Sequence, residues 1–262
     1  MTDAGVAVGP APGSRLDDRY RLRRINRRTG AYTVWQGWDD LLRRPVAVQV
    51  FAADPPPPGV FGAVRAACRV THAGLPQVFD ANNESDPPYF VREWIRGRDL
   101  TARLDDGPLE PQAVADGFLQ ASEALAAAHA AGLPHLRLTP RSLVWSRFGG
   151  VKVLGLGVDA AVERIRVDDP ELVDTRALIR LLCAALSGRY REKGSLLRSS
   201  WSRATRGWWT RNLGTGRELV GIAHRALSLG AHRSDAIRTP DQLADELRQI
   251  AGSQRRGEHV AA

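Results

Sequence analysis

Apolar and polar residues alternate along Arg21-Leu-Arg-Arg-Ile25 and again along Tyr32-Thr-Val-Trp35. Pro45-Val-Ala-Val-Gln-Val-Phe51 is a short apolar run ended by polar and proline residues. A period of two puts successive side chains on opposite faces, so these segments are expected as strands. Pro55 to Pro58 is a tetraproline that fits neither helix nor central strand and reads as a linker. Phe61 to Val70 reads as a short helix. Leu75–Phe79 and Tyr89–Ile95 read as two further strands, separated by the turn-rich stretch Asn82 to Pro88.

After Gly97 the period changes. Pro111 to Ala131 carries Val114, Phe118, Leu119, Leu125 and Ala128 along one helical face, with Gly132 placed to cap its end. Two short apolar runs follow, Ser142-Leu-Val-Trp145 and Val151-Lys-Val-Leu154, joined through Gly149-Gly150. Helices are expected over Glu171–Leu186, ending at Gly188, and over Glu218–Leu229. A last helix is expected to start at a capping box formed by Thr239, Pro240 and Gln242 and to run to about Ala251. The expected class is α+β in two lobes, strand-rich over 18–95 and helical over 96–252. Residues 1–17 are a Gly/Pro/Ala-rich lead-in expected to be disordered, and 253–262 a flexible polar tail.

Composition adds little until charge is mapped. With 43% apolar and 25% charged residues the chain has an ordinary balance for a folded domain. No run of ~20 apolar residues is present to span a bilayer. Cys68 and Cys183 show no metal spacing and are expected as small buried hydrophobes in a reducing, cytoplasmic setting. The net charge of +8 is uneven: Arg191, Lys193, Arg198, Arg203, Arg206, Arg211 and Arg217 are opposed by Glu192 alone. Trp201, Trp208 and Trp209 sit among them. This basic, Trp-rich segment 191–217 is the candidate partner-binding surface. It suits an anionic membrane surface or an acidic protein, and without a nucleic-acid-binding motif a nucleic acid is the weakest candidate.

The order of segments resembles the bacterial serine/threonine protein kinases from about Arg19 to Ile250. Asp39-Asp-Leu-Leu-Arg-Arg-Pro-Val-Ala-Val-Gln-Val50 resembles the strand that carries the family's lysine in a V-A-V-K pattern. Tyr89-Phe-Val-Arg-Glu-Trp-Ile-Arg-Gly97 is similar to the hinge. Leu133-Pro-His-Leu-Arg-Leu-Thr-Pro-Arg-Ser-Leu143 lies where the family has I-H-R-D-x-K-P-x-N-I, and Val151-Lys-Val-Leu-Gly-Leu-Gly157 where it has V-K-x-x-D-F-G. Asp174 with Ala177-Leu178 resembles the start of the central helix of the large lobe. The resemblance implies a kinase-like fold with a small strand-rich N-lobe and a larger helical C-lobe.

It also implies altered chemistry. Phosphoryl transfer relies on positioning and charge stabilisation, supplied in the family by a lysine–glutamate pair, a catalytic aspartate and metal ligands. Gln49 stands at the lysine, Ala63 at its glutamate partner and Arg137 at the catalytic aspartate. Ser142 stands at the metal-binding asparagine and Gly155 at the metal-binding aspartate. Arginine has no acceptor, so Arg137 reverses the charge of the base. Arg27, Thr29 and Tyr32 fall on or near the glycine positions of the phosphate loop. Asp159 is the one carboxylate nearby that a cation would find. Pro170-Glu171 resembles the remnant of a closing A-P-E motif, with Arg238 as the family's partner arginine. Val34, Ala47 and Leu143 match an adenine sandwich, with Arg92 at its back.

The expectation from these positions is a pseudokinase that is not an enzyme, has no resident cofactor or metal, and acts as a regulatory or scaffold protein. Alternatives are a nucleotide-binding switch that takes ATP without metal, and an adaptor at the inner face of the membrane. The string Arg92-Glu-Trp-Ile-Arg-Gly97 is similar to the pseudokinase domain associated with the lipid II flippase of actinobacteria. That resemblance implies cell-wall signalling, an active serine/threonine kinase as partner, and a forkhead-associated domain reading a phosphothreonine. The tail after Ile250 contains Ser253 but no threonine.

Overall fold

The early alternation becomes an antiparallel sheet. Strands β1 (Arg15–Leu16), β2 (Tyr20–Arg28), β3 (Tyr32–Asp39), β4 (Arg44–Phe51), β5 (Val78–Asn82) and β6 (Tyr89–Glu93) lie in the order β1-β2-β3-β4-β6-β5. A second sheet joins β7 (Gly97–Asp99), β8 (Leu143–Ser146) and β9 (Val151–Val153). The helices are α1 (Val60–Ala67), α2 (Leu100–Leu104), α3 (Pro111–Ala130), α4 (Val158–Val162), α5 (Pro170–Ser187), α6 (Thr215–Leu227) and α7 (Pro240–Val260). This computed structural model describes residues 9–52, 55–190, 215–227 and 236–260.

The chain divides into two units. The first holds the chain up to Thr71, Pro76–Ile95 and Leu156–Arg166; the second holds His72–Leu75, Arg96–Gly155 and the chain from Val167. The sheet of the first unit is apolar on both faces. On β4, Val46, Val48 and Val50 pack with Leu22, Trp35 and Val91, while Ala47 and Phe51 pack with Val34 and Phe90. The second face is covered by Val60 and Val64 of α1 and Val158 of α4. This alternation is the pleat expressed as two cores. In the second unit α3 lies against α5, α6, α7 and β9, presenting Val114, Phe118, Leu125 and Ala128, all fully buried.

Helix ends follow their residues. Gly188 closes α5 at φ 71°, a left-handed conformation that costs other residues a clash at Cβ. The capping box of α7 forms: the Gln242 N–H donates to Thr239 Oγ1 and the Thr239 N–H to Gln242 Oε1, both at 3.2 Å.

Three expectations shift. The strand expected at Leu75–Phe79 is β5, three residues later, because Pro76 has no N–H for a ladder. Helix α7 continues past Ala251 to Val260, a stretch that includes the good helix formers Gln254, Arg255, Arg256 and Glu258. Cys183 is buried as expected, but Cys68, at the C-cap of α1, is exposed.

A buried carboxylate anchors the β3–β4 hairpin. Asp39 is fully buried, receives Arg19 Nε and Nη2 at 2.9 Å each, and accepts the Leu41 and Leu42 N–H groups at 3.2 Å. The Arg19 bonds hold its carboxyl below the usual aspartate range. A depressed folded-state pKa stabilises the fold above the unfolded value of ~3.9, and that stability is lost as pH falls through it. Asp39→Asn should lower the unfolding free energy by about 2–3 kcal/mol at neutral pH, by urea denaturation, and much less at pH ~3.

Candidate functional site

Within the first unit, pairing places the candidate residues on one face. Gln49 sits opposite Val34 on β3 and Phe90 on β6, and Ala47 sits opposite Gln36 and Arg92. Directly opposed residues of an antiparallel pair share a face, and positions 47 and 49 are two apart. Val34, Ala47, Gln49 and Arg92 therefore line the same side, the side that also carries Tyr32, Phe51 and α1. Ala63 packs there from α1.

The polar groups of this face are unequal. Gln49 is buried, and among the described residues its Nε2 donates to nothing. Arg92 is half-buried, with Nη1 donating to the Glu93 carbonyl at 3.3 Å. Desolvation pulls its pKa below the ordinary arginine value, while the negative charges of Asp159 and Glu93 oppose that shift. Tyr32 is buried and its hydroxyl donates a short hydrogen bond to Asp159 Oδ1 on α4. Burial, and after it the Asp159 charge, holds the phenol neutral far above the ordinary tyrosine range. Thr29 Oγ1 accepts from Tyr32 N at 3.0 Å and donates to its carbonyl, closing the β2–β3 turn. The carboxylate offered to a cation is thus engaged by Tyr32. Among the described residues no three His, Cys, Asp or Glu side chains converge as a metal site.

In the second unit a different centre forms. Asp174 at the start of α5 is fully buried and accepts the backbone N–H groups of His135 and Leu136 at 2.7 Å and His129 Nε2 at 2.9 Å. Leu136 takes φ 58°, and the two N–H donors hold the loop in that conformation. His135 Nδ1 accepts the Arg137 N–H at 3.2 Å, so its Nε2 is the protonated nitrogen and donates to the Leu154 carbonyl at 2.8 Å. Arg137 is half-buried on this braced loop. Ser142 Oγ accepts the Thr139 N–H at 3.1 Å and its carbonyl accepts the Leu154 N–H at 2.7 Å. Gly155 stands at φ 88° just beyond.

Sequence reading and structure differ at several points. Leu143 is fully buried but belongs to the second unit, whereas Val34, Ala47 and Arg92 belong to the first. Arg238 pairs with Asp169 at 2.9 Å rather than with Glu171, and Asp169 also caps α5 through the Leu172 N–H. Arg198, Trp201, Arg203, Arg206, Trp208, Trp209 and Arg211 lie outside the described residues. Sequence reading missed the Tyr32–Asp159 bond, because no local pattern signals a contact between residues so far apart. It also missed the His129–Asp174 pair, for which the spacing of a helical His to an N-terminal Asp offers no template.

The Tyr32 bond has a pH signature. A phenol whose folded pKa is raised stabilises the fold fully below the unfolded value of ~10, and that contribution is lost as pH rises above it. Tyr32→Phe should cost about 1–2 kcal/mol at pH 7 and should lose less further stability than the wild type between pH ~9.5 and ~11.5, by denaturant unfolding. Equal alkaline slopes for the two proteins would remove Tyr32 as the source.

No family model matches the chain. Individual proteins do. The chain is 33% identical over 177 residues to serine/threonine-protein kinase PknA of Mycobacterium tuberculosis, covering 63% of this chain and 41% of that protein. It is 34% identical over 168 residues to PknL of the same species, covering 62% and 42%. It is 30% identical over 157 residues to the probable serine/threonine-protein kinase PknB of Corynebacterium glutamicum, covering 56% and 24%. The chain thus spans less than half the length of these curated relatives. Among the described residues no helix is long and apolar enough to cross a membrane. The matches correct one expectation: the relatives carry the name of an enzyme, so the substitutions at Gln49, Ala63, Arg137, Ser142 and Gly155 do not establish that this chain is not one. A strand-rich unit, a helical unit and repeated identity of 30–34% agree in making the chain similar to bacterial serine/threonine protein kinases.

Proposed function

We propose that this chain is a regulatory or scaffold protein of the bacterial serine/threonine kinase family, serving kinase or cell-wall signalling through what it binds. The observation that supports this reading is the sheet face of the first unit. Where the family places its lysine, Gln49 presents a neutral buried amide, and the guanidinium of Arg92 stands on the same face opposite Ala47. Tyr32 and Asp159 satisfy each other beside them. The proposed partners are an active serine/threonine kinase and a forkhead-associated domain protein. The basic segment with Arg198, Trp201, Arg203, Arg206, Trp208, Trp209 and Arg211 is the proposed contact for them. The proposed setting is cytoplasmic and peripheral to the inner face of the membrane.

A second reading is a switch that binds ATP without metal. The unpartnered Nε2 of Gln49 favours it, because a buried donor gains most from an incoming acceptor.

The first reading is tested by mixing the purified chain with the catalytic domain of a bacterial serine/threonine kinase, following complex formation by light scattering and the kinase's peptide phosphorylation rate. A complex with a dissociation constant on the order of micromolar, and a several-fold change in rate, is expected. Absence of a complex together with phosphate transfer by the chain itself would overturn the proposal.

A further inference from the structure

The first unit concentrates positive charge along β1, β2 and the β3–β4 turn. From Arg15 to Arg44 the chain carries nine arginines and four aspartates. Three of the aspartates are engaged inside the unit. Asp39 is buried under Arg19, Asp17 accepts from Tyr89 and Asn82, and Asp40 pairs with Arg15 at 3.3 Å and Arg21 at 2.7 Å. Sharing one carboxylate leaves the Arg15 and Arg21 side chains 51% and 43% exposed. Arg23, Arg24 and Arg43 are exposed as well.

At the tip of the same hairpin, Leu41 is 71% and Leu42 54% exposed. Their display is built into the fold. Asp39 receives both leucine N–H groups, and Arg43 turns the chain at φ 52° immediately afterwards. The surface is continuous: Arg21 is paired in register with Trp38, the Arg23 guanidinium lies 4.4 Å over the Trp38 ring, and Asp40 links Arg15 and Arg21 to the residue preceding Leu41.

We propose that the Leu41–Leu42 tip, with Arg43 beside it and Arg15, Arg21, Arg23 and Arg24 along the adjoining strands, docks on an anionic lipid bilayer. Aliphatic side chains on a rigid turn reach the boundary between headgroups and acyl chains, and flanking arginines engage lipid phosphates in bidentate fashion. Trp38 beside them is a residue suited to the headgroup level. Charge decides against other occupants. A second copy would set like-charged surfaces against each other, with Asp40 already shared. A nucleic acid would want an open aromatic face for stacking, and Arg23 covers the ring of Trp38. This docking rests on the membrane-peripheral setting proposed above and uses residues other than those of segment 191–217.

The test is sedimentation of the full chain with vesicles of phosphatidylcholine alone or of phosphatidylcholine with phosphatidylglycerol, across a salt series. The Leu41→Asp/Leu42→Asp variant is compared with the wild type and with Phe148→Asp, which alters an 83% exposed apolar residue in the second unit. Urea midpoints verify that each variant is folded. Binding should require phosphatidylglycerol, weaken with salt, fall about tenfold or more for Leu41→Asp/Leu42→Asp, and be unchanged for Phe148→Asp. An unchanged partition coefficient for the folded double variant would overturn the proposal, as would a wild type that ignores phosphatidylglycerol. A wild-type dimer that the double variant makes monomeric, with vesicle binding unaltered, would assign the tip to a second copy instead.

Discussion

The hydrogen bond from Tyr32 to Asp159 ties the start of β3 to a helix 127 residues further along the chain. Its consequences spread through the first unit. It seats α4 on the sheet face, where Val158 joins Val60 and Val64 of α1. It gives Asp159 a partner, and it leaves a negative charge near enough to Arg92 to oppose the desolvation of that guanidinium. A buried arginine with no opposing charge would be costly, so the carboxylate and the cation depend on each other being there. The face thus carries a tyrosine, a carboxylate and an arginine within hydrogen-bond or charge reach of one another.

The second unit keeps a similar economy around another carboxylate. Asp174 collects two backbone donors and one histidine, and the loop from His135 to Arg137 takes its shape from them. The brace therefore persists where the residue on the loop is an arginine. A buried acceptor with three donors would leave three orphans if removed, and that penalty holds the position whatever chemistry the loop carries.

Much of the fold was legible because it rests on local periodicity. The short apolar run from Pro45 to Phe51 marked β4, and Thr239 with Gln242 marked the start of α7. What local pattern misses is set by longer reach or by single atoms. Pro76 displaced β5 because one absent N–H outweighs three apolar residues. Cys68 lies outside the core because helix α1 ends one turn after its last buried valine. Of the candidate site, the gathering of Val34, Ala47 and Arg92 around one pocket was implied by the kinase resemblance. The partner of Tyr32 was not, since nothing around Asp159 in sequence points to a phenol. No sequence pattern singled out Leu41 and Leu42, which the structure exposes at a turn where both N–H groups are held by Asp39.

That the first unit fills this face with its own side chains is tested most directly by calorimetric titration of the wild-type chain with ATP, with and without magnesium, at low and raised salt. Salt separates a seated nucleotide from triphosphate drawn to a basic surface, because only the latter is screened. The expected result is no saturable heat at raised salt under either metal condition. Saturable, salt-resistant binding would contradict it and would make the unpartnered amide of Gln49 the first contact to examine.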